Sequence, residues 1–344
     1  MTTTDETTEM TLPQPVSGLH HVTAIAGDPQ RNLDFYAGLL GMRLVKLTVN
    51  FDDPEAYHLY YGDELGRPGT ILTFFSWPGA QGGRIGAGQV SATGLAVPQD
   101  ALDFWAARLR DAGVEISGPE ERAGQPVIRF RDPDGLALEL VGSADAATRA
   151  GWAGGPVAPE RAIRGLHNVT LYEAAPTRTE TLLTQTMGLR QIAETEGGLA
   201  RFAADAGGAG QQVDVVPAKA GERGLVAVGT VHHVAWRTPD DPTQFDWRQT
   251  LVGQRYNVSP VMDRTYFHSI YFREQGGVLF EIATDAPGFT VDEPAERLGQ
   301  ELRLPPWFEQ HRALIEQALP QVRLPGRDIL APAPATSAQE ASGE

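Results

Sequence analysis

Four of the eight histidines in this chain stand in two adjacent pairs, His20-His21 and His232-His233. Imidazole is both a proton shuttle near neutral pH and the commonest nitrogen ligand of metals. Glu281 offers a third chemical group, a carboxylate inside the otherwise apolar run Val278-Leu279-Phe280-Glu281-Ile282-Ala283. A charge buried in such a strand needs a partner, and a cation is one of few that suffice. Two imidazoles and one carboxylate make the facial triad of non-haem Fe(II) oxygenases, which leaves coordination positions open for reactants. Cysteine is absent, which excludes disulfides, thiolate-bound zinc, iron–sulfur clusters and thiol nucleophiles.

These residues become equivalent once the chain is read as a repeat. Gly18-Leu19-His20-His21-Val22-Thr23 returns as Gly165-Leu166-His167-Asn168-Val169-Thr170 and as Val231-His232-His233-Val234-Ala235. A weaker copy is Ser91-Ala92-Thr93-Gly94-Leu95-Ala96-Val97. Taking His21, Gly94, Asn168 and His233 as equivalent gives spacings of 73, 74 and 65 residues. Each opening alternates like a β-strand and leads into a helix punctuated by an early proline, a terminal glycine or both, the asymmetry expected of helix ends. The first helix starts at Asp28-Pro29, carries the stripe Leu33, Tyr36, Ala37 and Leu40, and stops at Gly41. The second carries Leu102, Trp105, Ala106 and Leu109 before Gly113; the third follows Pro176, and the fourth runs from Asp241-Pro242 to Gly253. Short β-like runs follow each helix, the last aligned on Gly69, Gly135, Gly210 and Gly277.

The predicted fold class is therefore α+β, with four βαβββ modules. Residues 17–142 and 162–285 each hold two of them, joined by an Ala-, Gly- and Pro-rich linker at 143–161. A helical segment, apolar at Phe308, Leu314, Ile315 and Leu319, falls within 286–330, and the ends at 1–16 and 331–344 read as disordered.

Strand alternation turns one histidine of each pair inward and leaves the other to support it or face away. His21 and His233 are assigned inward because the small Thr23 and Ala235 follow them at i+2. The matching positions elsewhere, Gly94, Asn168, Glu139 and Asp214, keep carboxylates and no histidine, which predicts a second cavity without a metal. His167 aligns with the outer His20 and is expected to be structural.

The net charge of −16 argues against nucleic acid and anionic membrane surfaces as partners. No run reaches the ~18–20 apolar residues of a membrane span, and the start lacks the basic and apolar regions of a signal peptide. A cytoplasmic location is the expectation.

On these motifs the chain resembles the vicinal-oxygen-chelate superfamily, which includes glyoxalase I and the extradiol dioxygenases. More closely it resembles the four-module, ring-cleaving hydroquinone-type dioxygenases, over about residues 17–325 and including Leu304-Pro305-Pro306-Trp307-Phe308-Glu309. The resemblance implies two metal-site-type β-barrels, with the site joining the first module to the fourth. It implies Fe(II), or Mn(II) in the same triad, on His21, His233 and Glu281, a small aromatic diol and O₂ as partners, and a tendency to form homo-oligomers. It also implies active-site roles for an Arg and a Tyr seven residues apart, matched here by Arg264 and Tyr271, and for His20, His232 and Thr23. In that scheme Tyr271 hydrogen-bonds the substrate oxygen, Arg264 stabilises developing charge, and His232, taken at an ordinary pKa near 6.5, is the acid or base.

Two rivals share the fold: a glyoxalase-type isomerase or lyase, and a non-catalytic small-molecule binder. Glyoxalase-like isomerases typically use a second carboxylate, at the position that Thr73, or Phe74 one residue on, occupies here.

Overall fold

The computed structural model describes residues 12–324 and the two-residue strand 330–331. Most of the stretches expected to be disordered fall outside these residues. Within the N-terminal one, Val16 is buried and its amide donates to the Met187 carbonyl.

Four βαβββ modules follow one another. The first has β1 (Leu19–Ala26), α1 (Pro29–Leu33), β2 (Arg43–Asn50), β3 (Asp53–Gly62) and β4 (Ile71–Ser76). The second has β5 (Gln89–Pro98), α2 (Leu102–Asp111), β6 (Ile116–Arg122), β7 (Gln125–Arg131) and β8 (Ala137–Ser143). The third has β9 (Leu166–Glu173), α3 (Pro176–Thr181), β10 (Arg190–Glu194), β11 (Ala200–Ala203) and β12 (Gln212–Pro217). The fourth has β13 (Val231–Thr238), α4 (Asp241–Gly253), β14 (Met262–Asp263), β15 (Phe267–Arg273) and β16 (Leu279–Pro287). Helix α1 begins where Asp28 accepts from the Arg31 amide and runs on into a wider turn over Asp34–Leu39. Its stripe Leu33, Tyr36, Ala37 and Leu40 is buried, as is Leu102, Trp105, Ala106 and Leu109 on α2.

The strands form two curled, eight-stranded half-barrels, one ordered β14-β15-β16-β13-β1-β4-β3-β2 and the other β10-β11-β12-β9-β5-β8-β7-β6. The first sheet joins modules one and four through the antiparallel β1–β13 pair; the second joins modules two and three through β5–β9. This is an α+β fold of the vicinal-oxygen-chelate type. Most apolar positions of both sheets and the helix stripes pack into one large core cluster, with a smaller one around Val45, Tyr60, Tyr266 and Phe289.

After β16 the chain returns to the first module. A turn at Pro306–His311 leads into α5 (Arg312–Ala318), and the Tyr57 hydroxyl donates to the Pro320 carbonyl at 2.8 Å. Ile315 and Leu319 are buried, but Leu314 is 68% exposed, so the apolar face is narrower than expected. No helix among the described residues is long and apolar enough to cross a membrane.

Where modules three and four meet, Glu173 at the end of β9 is fully buried and neither carboxyl oxygen has a hydrogen-bond partner. Burial, aided by Glu274, pushes its pKa up to about 8. The folded chain thus keeps this proton up to about pH 8, whereas the unfolded chain releases it near the ordinary value of 4.5. Each pH unit in that window costs the folded state up to about 1.4 kcal/mol. Glu173→Gln is expected to leave stability at pH 4 unchanged and to raise it at pH 8 by roughly 4 kcal/mol. Denaturant midpoints of both proteins at the two pH values check this; an equal midpoint at pH 8 would contradict it.

Candidate metal centre

The β1–β13 register explains how both histidines of each pair serve one site. His21 lies opposite Ala235 and Thr23 opposite His233, while His20 and His232 face no residue across the pair. Each is the extra residue of a β-bulge, which re-aims side chains that strict alternation would send away. Bulges recur in the second sheet at His167 and Ser91. The same register corrects one expected equivalence. Ala92 lies opposite Thr170 as His233 lies opposite Thr23, whereas Gly94 takes the place of Ala235. Val90-Ser91-Ala92-Thr93 shares only its first residue with Val231-His232-His233-Val234, so nothing in the sequence fixed the offset of two.

His21, His233 and Glu281 converge. Their ligand atoms lie within 4.8 Å of one another, and all three residues are buried. The two Nε2 atoms are 3.3 Å apart, and Glu281 Oε2 is 3.3 Å from that of His21 and 2.9 Å from that of His233. The Nδ1 atoms are engaged on the far side, His21 with His20 at 2.9 Å and His233 with His232 at 2.8 Å. A proton on each inner Nδ1, donated to the outer ring, leaves both Nε2 lone pairs directed at the carboxylate. Glu281 Oε1 accepts from the Ser269 hydroxyl, while Oε2 is buried without a hydrogen-bond partner. Three converging acceptors, the orphaned oxygen among them, suit a divalent cation.

The site opens on a cavity of about 290 Å³. His232, Arg264 and Tyr271 line it, with His58, Tyr60, Phe75 and Trp77 among its other walls. His20 and Thr23 stand behind it: His20 is buried against His21 and Phe267, and Thr23 bonds Thr73 at 2.8 Å. His232 differs from its expected near-neutral pKa, because burial and then His233 lower it to about 3. The ring is a neutral hydrogen-bonding group at physiological pH. Burial also keeps the Tyr271 phenol protonated, while Arg264 Nε donates to its oxygen at 3.1 Å. Arg264 extends to Asp52 at 3.2 Å. The β1–β4 register sets Thr73 beside Thr23 as Glu281 is set beside Ala235, so a hydroxyl stands where a second carboxylate would be.

Ser269 and Asp52 escaped the sequence reading. Ser269 shares a strand face with Tyr271 at i+2, a signal that was available. Asp52 comes from the β2–β3 turn, whose approach to Arg264 spans 212 residues and leaves no local signature.

At the matching place in the second sheet, Ala92, Arg122, Arg129 and Glu139 line one part of an open hollow of about 940 Å³ that extends to Phe35 and Pro133. The sheet's carboxylates Glu139 and Asp214 are bridged by the Arg122 guanidinium, and Arg201 also pairs with Asp214 at 2.6 Å. The pairings of β6 with β7 and of β7 with β8 set Arg122 and Arg129 where Arg264 and Tyr271 stand in the first sheet. A built-in cation thus neutralises the acids there. His167 is buried, bonds Asn168 at 2.9 Å and mirrors His20.

Comparison with known proteins agrees with this architecture. The model of the Glyoxalase/Bleomycin resistance protein/Dioxygenase superfamily matches residues 18–140 and 165–282. MhqO of Bacillus subtilis strain 168, provisionally named a ring-cleaving dioxygenase, is 49% identical over 302 residues, 88% of this chain and 95% of MhqO. The chlorohydroquinone/hydroquinone 1,2-dioxygenase of Sphingobium indicum is 36% identical, over 87% of this chain and 95% of that enzyme. The crystal structure of a provisionally named Bacillus subtilis dioxygenase superposes with a TM-score of 0.85 at 47% identity, covering 90% of this chain and 99% of that one. Glyoxalase I of Zea mays shares the fold at a TM-score of 0.60 and 14% identity, over 78% of this chain and 92% of that one. The chain belongs to the glyoxalase/bleomycin resistance protein/dioxygenase superfamily.

Proposed function

We propose that this protein is a ring-cleaving dioxygenase for a small aromatic diol of the hydroquinone type, using O₂ and an Fe(II) ion held by His21, His233 and Glu281. The observation that carries the reading is a three-ligand set with Thr73 in the fourth position. Three protein ligands leave room for more than one reactant, whereas a glyoxalase-type isomerase would place a second carboxylate there. The cavity, near the lower end of the usual ligand-pocket range, suits a single substituted ring. The names of the two enzyme relatives point the same way. Mn(II) is compatible with the same donors.

Bound Fe(II) would supply a centre through which electrons pass from the diol to O₂. The chain's own residues bind and orient. Tyr271 donates its O–H to the substrate oxygen, held by Arg264, whose guanidinium offsets the negative charge that develops there. His20 and His232 fix the tautomers of the ligand rings, and Ser269 holds the ligand carboxylate. Phe75, Trp77 and Phe267 give the cavity apolar faces against which an aromatic ring can lie.

Loading with Fe(II) under anaerobic conditions, followed by oxygen uptake with methyl- and chloro-substituted hydroquinones and catechols, tests the proposal. One O₂ consumed per diol is expected, with Tyr271→Phe about 100-fold slower. Iron-loaded protein that consumes no O₂ with any dihydroxybenzene would instead favour an isomerase or a binding protein.

A further inference from the structure

His58, on β3, stands in the wall of the candidate cavity with a fixed orientation. Its ring lies between Tyr60, at 3.9 Å between centroids, and Phe75, at 4.4 Å. Nε2 is 2.8 Å from Thr73 Oγ1, and Thr73 Oγ1 is 2.8 Å from Thr23 Oγ1. Both threonines are fully buried, so this tether ends inside the protein. The other nitrogen, Nδ1, makes no hydrogen bond among the described residues and is not one of the buried, unpartnered polar atoms. It is therefore reached from the cavity that the ring lines.

The tether matters because Thr73 has one hydroxyl proton to place. If that proton goes to Thr23, His58 donates from Nε2 and presents a lone pair at Nδ1. If it goes to His58, the imidazole presents N–H at Nδ1. A hydroxyl both donates and accepts, so it satisfies either arrangement.

We infer that His58 is a specificity-determining residue that hydrogen-bonds the second hydroxyl of the bound diol, and that Thr73 and Thr23 are positioning residues that hold its ring. The inference rests on the diol reading above and gives a partner to the hydroxyl that Tyr271 does not engage. It gives Thr73 a task in the position that lacks a fourth ligand.

The test uses iron-loaded protein without O₂, titrated with hydroquinone and with phenol, and kinetics under O₂. Wild type is expected to bind hydroquinone at least tenfold more tightly than phenol, since a lost hydrogen bond in a desolvated pocket costs about that factor or more. His58→Phe should bring that ratio close to one while iron content and phenol affinity stay unchanged, and should act mainly on KM. His58→Gln should restore part of the preference. Thr73→Val, which frees the ring without removing it, should lower the ratio by about threefold and serves if the phenylalanine variant does not fold. An unchanged ratio in His58→Phe or Gln, beside a wild type that binds the diol, overturns the assignment of His58 alone. A wild type that binds no diol overturns this inference together with the proposed function.

Discussion

Glu281→Gln is expected to lower metal affinity and turnover by more than about 100-fold, since loss even of outer hydrogen-bond partners costs roughly 10–100-fold. The amide keeps the size of the carboxylate and can still meet the Ser269 hydroxyl, so the fold should persist. What it removes is the negative charge and the orphaned Oε2 lone pair between His21 and His233. Iron per chain after dialysis, measured beside circular dichroism, separates loss of metal from loss of structure. Wild-type iron content in the variant would remove Glu281 from the ligand set.

The second large effect lies far from that centre. Arg122→Ala should destabilise the protein by about 3 kcal/mol, the lower end of what breaking a buried ion pair costs. Glu139 would then depend on Arg129, at 3.4 Å and half exposed, whereas Asp214 would keep Arg201. Removing the stranded charge as well, in Arg122→Met with Glu139→Gln, should recover most of the loss, since apolar or neutral replacement of a whole pair is tolerated better than half of it. Equal unfolding midpoints for Arg122→Ala and wild type would show that the bridge contributes nothing. Because the guanidinium already serves those acids, one metal ion per chain is expected.

Periodic features were legible in the sequence, and non-periodic ones were not. Leu33, Tyr36 and Leu40 on the first helix and Leu102, Trp105 and Leu109 on the second gave helix positions because a 3.6-residue repeat survives in any context. The paired histidines and Glu281 were visible because a polar residue in an apolar strand needs a reason. That His20, His232, Ser91 and His167 are the extra residues of bulges was not, since a bulge is a relation between two strands. Arg122 looked like one charge in the acidic run Glu120-Glu121-Arg122; only the curl of the sheet aims it at Glu139 and Asp214. The Thr23–Thr73–His58 tether likewise joins three strands whose spacing carries no code.

The pairing of β1 with β13 has a consequence for biosynthesis. Translation releases His21 some two hundred residues before His233 and Glu281, and until then the edge of β1 that β13 will cover has no strand beside it. Domains generally begin folding from the N-terminus as they emerge, but here the first half can complete neither of its sheets alone. On the proposed ligand set, capture of an ion would wait for the fourth module, and a truncated or stalled product would carry no reactive centre. Ring opening would be confined to polypeptides that have left the ribosome nearly whole.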